Sequence, residues 1–130
     1  MPDIGLVRSL LWKGNIYGTI RPMTVRVEEY LRANGSCPFR QWADGLSREA
    51  AVKVAFALFR IRQGHRSRLK WFDGIGEYRI DWGPGCRISL IQDGPDLILL
   101  LGGGTKQRQR ADIRRAQQLR AEYLSQERAR

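Results

Sequence analysis

An α+β fold is predicted, with a small twisted, antiparallel-rich sheet, helices packed on one side of it and a C-terminal helix to close the chain. Three features of the sequence lead there. Apolar residues recur at helical spacing between Pro38 and Gln63. Short apolar runs split by Gly and Pro follow between Leu69 and Leu101. From Lys106 to about Ser125 helix formers return without a Gly or a Pro.

Taken in order, Gly5, Gly14, Gly18 and Pro22 interrupt short apolar pieces that keep no period. Residues 1–22 therefore read as an N-terminal extension, Met23 as a candidate natural start, and residues 23–130 as the folded domain. Thr24-Val25-Arg26-Val27 alternates as a first strand. After a turn at Asn34-Gly35, Pro38 opens a short helix to Trp42, since its missing N–H costs nothing in a first turn. Ser47 caps a longer helix with Ala51, Val54, Ala55 and Leu58 along it, and Gly64 stops it. Four strands are expected at Leu69–Phe72, Glu77–Trp82, Cys86–Gln92 and Leu97–Leu101, an antiparallel meander joined by Gly83-Pro84-Gly85 and Asp93-Gly94-Pro95-Asp96. Along the last helix Ile113, Ala116, Leu119 and Tyr123 share one face.

Charge narrows the function. The 130 residues hold 23 Lys and Arg against 13 Asp and Glu, a net +10. The excess is mostly arginine, whose planar fork pairs with phosphate and stacks on bases, so nucleic acid is the expected partner. A merely solvated basic surface is the plain alternative. Eight of the basic residues fall between Lys106 and Arg130, against three acidic ones. Cys37 and Cys86 have no metal-ligand spacing and make no disulfide framework, so no metal is expected and a reducing cytoplasm fits. Arg8 and Lys13 break the apolar run around Leu6–Trp12 short of a signal core or membrane span, so neither export nor a membrane is implied. With His65 as the only histidine, a paired-histidine ribonuclease is excluded; its setting among Arg62, Arg66 and Arg68 reads as a surface loop.

The stretch Gly76-Glu77-Tyr78-Arg79-Ile80-Asp81-Trp82-Gly83-Pro84-Gly85-Cys86-Arg87-Ile88 resembles a signature of the RelE/ParE toxin superfamily: a Glu-x-Arg strand, a Gly-Pro-Gly turn and an aromatic-Arg strand. Gly102-Gly103-Gly104-Thr105-Lys106-Gln107-Arg108-Gln109 resembles the Gly-Gly-x-Lys-x-x-Gln closure of its addiction-module killer (HigB/RelE-like) branch. Phe39-x-x-Trp42-x-x-x-Leu46 resembles the first helix of that family, so the likeness spans roughly residues 24–124. It departs at Cys86, where the family usually has an aromatic, at Gly64-His65 and Arg66-Ser67-Arg68, where it has Gly-Asn and Gly-Asp pairs, and at Ile113, which stands where RNA-cleaving members have a tyrosine. The resemblance implies a RelE-like fold and a type II toxin: an mRNA endoribonuclease acting at the ribosome to inhibit translation, without metal or cofactor. It also implies a cognate antitoxin, expected over the basic cleft or along the helices of Pro38–Gln63. Poisoning of DNA gyrase in the ParE manner, and a non-catalytic RNA- or protein-binding module, stay open as alternatives.

Strand alternation puts Glu77, Arg79 and Asp81 on one face and Tyr78, Ile80 and Trp82 on the other. The Gly83–Gly85 turn brings Arg87 toward the first face, and Lys106 arrives from the end of the last strand. Attack by the 2′-hydroxyl of RNA needs a base, cations for the anionic phosphorane and an acid for the leaving oxygen. Arg87 and Arg79 suit the second role, Glu77 is the candidate base and Lys106 the candidate acid; plain ion pairing is the alternative for Glu77 and Arg79. Arg66, Arg68, Lys70, Arg108, Arg110, Arg114 and Arg120 are the expected RNA-binding residues. Gly102–Gly104 lack the spacing of a nucleotide-binding loop and are expected to turn the last strand tightly into the final helix, their amides beside Lys106.

Overall fold

In the computed structural model, residues 25–129 are described; the extension read at residues 1–22, and Met23 and Thr24, lie outside them. The chain runs β1 (Arg26–Glu29), α1 (Pro38–Asp44), α2 (Arg48–Arg62), β2 (Leu69–Phe72), β3 (Ile75–Ile80), β4 (Cys86–Asp93), β5 (Leu97–Thr105), a 3₁₀ turn (Lys106–Arg108) and α3 (Gln109–Arg128). The strands form one mixed sheet in the order β1-β5-β4-β3-β2. β2 to β5 are an antiparallel meander, as expected, and β1 joins β5 in parallel. Ser47 caps α2 by accepting from the Ala50 N–H, and Pro38 sits in the first turn of α1.

The helices do not share one side of the sheet. Phe39 of α1 and Val54, Ala57 and Ile61 of α2 pack on Tyr78, Ile88, Leu90, Ile98 and Leu100. Ala116 and Leu119 of α3 pack on the opposite face, against Ile75, Ile91, Leu99 and Leu101. The reason is in the two central strands. Leu97-Ile98-Leu99-Leu100-Leu101 does not alternate, and a strand apolar on both sides needs cover on both. Tyr30 meets Tyr123 edge to face at 5.9 Å, and Arg32 pairs with Glu122 at 3.2 Å, so the C-terminal half of α3 is tied to the segment that follows β1.

Gly102–Gly104 do not form a turn; they extend β5 to Thr105. The register slips between Ser89 and Leu90, where Ser89 faces Gly102 and Leu90 faces Leu100, leaving Leu101 as a bulge. Beyond the bulge the backbone is pinched between two helices. A Cβ on Gly103 would stand 2.5 Å from the Trp42 ring of α1, and one on Gly104 would overlap the Asp112 carboxylate of α3. These glycines permit close packing on both faces of the strand.

Both cysteines are free; Cys86 is buried and Cys37 partly so. Burial pushes both thiols up, and for Cys37 the Glu29 carboxylate, 3.5 Å from its Sγ, pushes the same way. A raised thiol pKa lowers the thiolate fraction that reacts. Native protein at pH 8 should therefore alkylate with iodoacetamide far more slowly than unfolded protein, in which both thiols react; mass spectrometry showing equal rates would contradict this placement.

Candidate anion site at the end of the sheet

The strand register draws cations into a row. Arg68, just ahead of β2, receives the Arg79 N–H on its carbonyl at 3.2 Å. Arg79 of β3 is the partner of Arg87 on β4, and Arg87 of Gly104 on β5, with Lys106 two residues further. Cross-strand partners project to the same face at about 4.8 Å spacing. The row thus crosses one end of the sheet: Arg87 lies on the face that α3 covers, and Arg68 and Arg79, nearer the edge, also border a hollow beside α2. One step inward, Lys70, Glu77, Ser89 and Gly102 make a second row.

Arg87 is the centre of the arrangement. Its side chain is 9% exposed and that of Glu77 only 3%, with Arg87 Nε 3.0 Å from Glu77 Oε1. Gln109, at the start of α3, donates to the same carboxylate oxygen at 2.8 Å. The Nε contact is a close ion pair that lacks hydrogen-bond alignment, and Nη1 is buried with no hydrogen-bond partner among the described residues. Buried guanidinium donors ordinarily find partners, so this one is a site at which an anion would be gained. Gly85, at φ +84°, keeps the neighbouring space open: a Cβ there would lie 3.6 Å from Lys106 Cβ and 3.9 Å from Arg87 Nη1. The Lys106 N–H donates to the Gly85 carbonyl at 3.1 Å, which fixes the lysine at the mouth of that space.

The four candidate catalytic residues therefore share one end of one face, though not equally. Lys106 is exposed, Arg79 partly exposed, and Arg87 and Glu77 are buried. Glu77 lies beneath Arg87, where it holds the guanidinium and is shielded from a substrate hydroxyl; the role of base read from the sequence does not fit that position. Loss of Arg87 would also strand a buried carboxylate, so its removal costs stability as well.

Among the expected RNA-binding residues, Arg108, Arg110 and Arg114 line an exposed hollow with Lys106 on the first turns of α3. Arg68, Lys70 and Arg79 line a second hollow with Asp81, in which Arg68 pairs with Asp81 at 2.8 Å. Arg66 is exposed and donates to Gln92 at 2.6 Å. Arg120 is apart from these: its guanidinium lies over Gly74 in the β2–β3 turn, within 3 Å of where a Cβ would be. His65 is exposed in a third hollow with Phe56 and Phe59, away from Arg87. Gln109 was within the motif quoted from the sequence, yet nothing in the one-dimensional pattern tied it to Glu77. Asp112 is a further residue that sequence reasoning missed; burial raises its carboxyl pKa, while Arg108 pulls the other way.

Chemically the site offers two cations of different kinds around one gap. Arg87 is fixed from below by a carboxylate, and Lys106 is exposed at the surface. Among the described residues no cluster of three or more His, Cys, Asp or Glu is placed to hold a metal ion, and no helix is long and apolar enough to cross a membrane.

No family model and no solved structure matches the chain. It is similar to an uncharacterized protein of Haemophilus influenzae, 33% identical over 102 residues, which is 77% of this chain and 97% of that protein. At that identity and coverage, the chain belongs to the same family as the Haemophilus influenzae protein.

Proposed function

We propose that the chain is the toxin of a type II toxin–antitoxin pair: a metal-independent endoribonuclease of the RelE/ParE kind that cuts mRNA at the ribosome and is restrained by a protein antitoxin. The observation that carries the reading is the buried, incompletely partnered Arg87 beside Lys106, at the end of a row of arginines. An RNA strand laid along this row meets cations at intervals comparable with its phosphate spacing. Arg87, preorganised by Glu77 and Gln109, takes the extra negative charge as the 2′-oxygen, its proton passing to solvent water, attacks and phosphorus becomes five-coordinate. Lys106 delivers a proton to the departing 5′-oxygen. Arg108, Arg110 and Arg114 hold the flanking backbone.

Lys106 gives the clean test, because its exposed side chain bears no core load. Lys106→Ala should slow RNA cleavage by at least about tenfold, at the lower edge of what a positioned proton donor contributes, while the thermal midpoint stays within a degree or two of wild type. An unchanged cleavage rate would remove Lys106 from the reaction.

A further inference from the structure

We propose that the hollow between α1 and α3 receives a guanine base, that of a nucleotide next to the cleaved phosphate. β1 ends at Glu29, opposite Leu100, while β5 continues to Thr105. Beyond Leu100 that edge of β5 has no neighbouring strand among the described residues. A hollow of about 180 Å³ opens there, with Trp42 of α1 on one wall, Asp112 and Arg115 of α3 on the other, and Ser89 and Gly102 beneath. Pockets for a whole small molecule usually hold roughly 300 Å³ or more. This one suits a single ring system carried by a larger ligand.

The strand beneath is bare. A Cβ on Gly102 would meet nothing within 4 Å, whereas one on Gly103 would strike the Trp42 ring and one on Gly104 the Asp112 carboxylate. The hollow thus joins an aromatic ring to an acceptor. An aromatic side chain stacks on any base, so the carboxylate supplies the selection. Guanine places two donors, N1–H and N2–H, side by side on its pairing edge, and a carboxylate accepts both. Adenine and cytosine set one amino group beside an acceptor, and uracil sets one N–H between two acceptors. Arg115, exposed on the same wall, is a donor for guanine O6. Burial is the largest influence on the Asp112 carboxyl, and no hydrogen bond offsets it among the described residues; the two donors of a guanine would. The hollow also adjoins the chemistry. Asp112 lies over Gly104, the cross-strand partner of Arg87, and Ser89 follows Arg87 by two residues on the same face. Two residues of strand are about 7 Å, a distance one nucleotide spans. The inference rests on the reading of the chain as an RNA-cutting protein, and adds the base it selects.

The test uses the full chain and four labelled 2′-O-methyl oligonucleotides, which lack the attacking hydroxyl and stay whole, each a short uridine tract with G, A, C or U at its centre. Fluorescence anisotropy should show the G oligonucleotide bound roughly tenfold more tightly than the other three, the scale of one bidentate base contact. Asp112→Asn, equal in shape, should bring G down to the level of the others and leave those unchanged. Arg115→Ala, at an exposed side chain, should narrow the preference as well, and melting curves establish that each variant folds. Equal affinity of wild type for all four overturns the proposal. So does a guanine preference that persists undiminished in folded Asp112→Asn or, should that variant not fold, in Arg115→Ala. Cleavage of unmodified RNA separates the two readings. A protein that cuts RNA yet binds the four alike loses only the guanine pocket, whereas one that selects guanine through Asp112 and never cuts loses only the nuclease reading.

Discussion

Glu77→Gln/Arg87→Met, the paired replacement, should yield a folded protein that cleaves RNA roughly 10²-fold or more slowly than wild type, the loss seen when one preorganised donor is removed from a transition state. The pairing matters because Arg87→Ala alone confuses chemistry with folding. Its side chain and that of Glu77 are buried together, 3.0 Å apart, and a lone buried carboxylate would itself disturb the sheet. Glutamine keeps a partner for Gln109 and methionine fills the arginine's stem volume, so both charges leave at once. Arg87→Lys supplies the companion measurement. It keeps the charge but loses the planar fork and its fixed aim, so it should recover only part of the rate. A double variant that melts like wild type and cleaves like wild type would show that Arg87 is structural alone.

The second large effect is on stability. Glu77→Leu, made singly, should destabilise the protein by about 3–5 kcal/mol, the usual consequence of removing one partner of a buried ion pair. The leucine would leave Arg87 without its counter-charge inside the sheet–α3 interface, and Gln109 without its acceptor. For a domain of this size that corresponds to a fall of roughly 15 °C or more in Tm. Adding Arg87→Met to Glu77→Leu should return much of it, which equilibrium urea unfolding of the single and double variants would measure. A loss below about 1 kcal/mol in the single variant would mean that Arg87 reaches water and that the buried pair is not the foundation of the site.

The comparison of sequence with structure has a clear physical pattern. Elements announced by local chemistry were legible: the Ser47 cap, Pro38 in the first turn of α1, and β2 at Leu69–Phe72. Those decided by tertiary contacts were not. β3 begins at Ile75, two residues before the expected strand, because Gly76 belongs inside it, where a Cβ would stand 2.6 Å from Leu90. The three glycines that read as a turn extend β5, since their task is to admit Trp42 and the Asp112 carboxylate. The two-sided cover of the sheet was written in the unbroken apolar run of Leu97–Leu101, a signal that alternation rules alone do not weigh.

For the site, alternation correctly set Glu77 and Arg79 on one face, and the Gly83–Gly85 connection brought Arg87 to it. What sequence could not convey was depth. Whether Glu77 faces solvent or lies under α3 depends on where that helix packs, and this decides between a base and a positioning group. Arg120 illustrates the same limit: its place on the basic C-terminal helix suggested a phosphate contact, whereas its guanidinium covers the Asp73-Gly74 turn.

Cleavage of RNA in cells by the Arg87–Lys106 site is the decisive observation. Brief induced expression, followed by mapping of mRNA 5′ ends, should reveal new ends within translated messages for the wild type, and a steep loss of them for Lys106→Ala and for Glu77→Gln/Arg87→Met at equal protein levels. Growth arrest with no new ends, or new ends that persist undiminished in both variants, would contradict it.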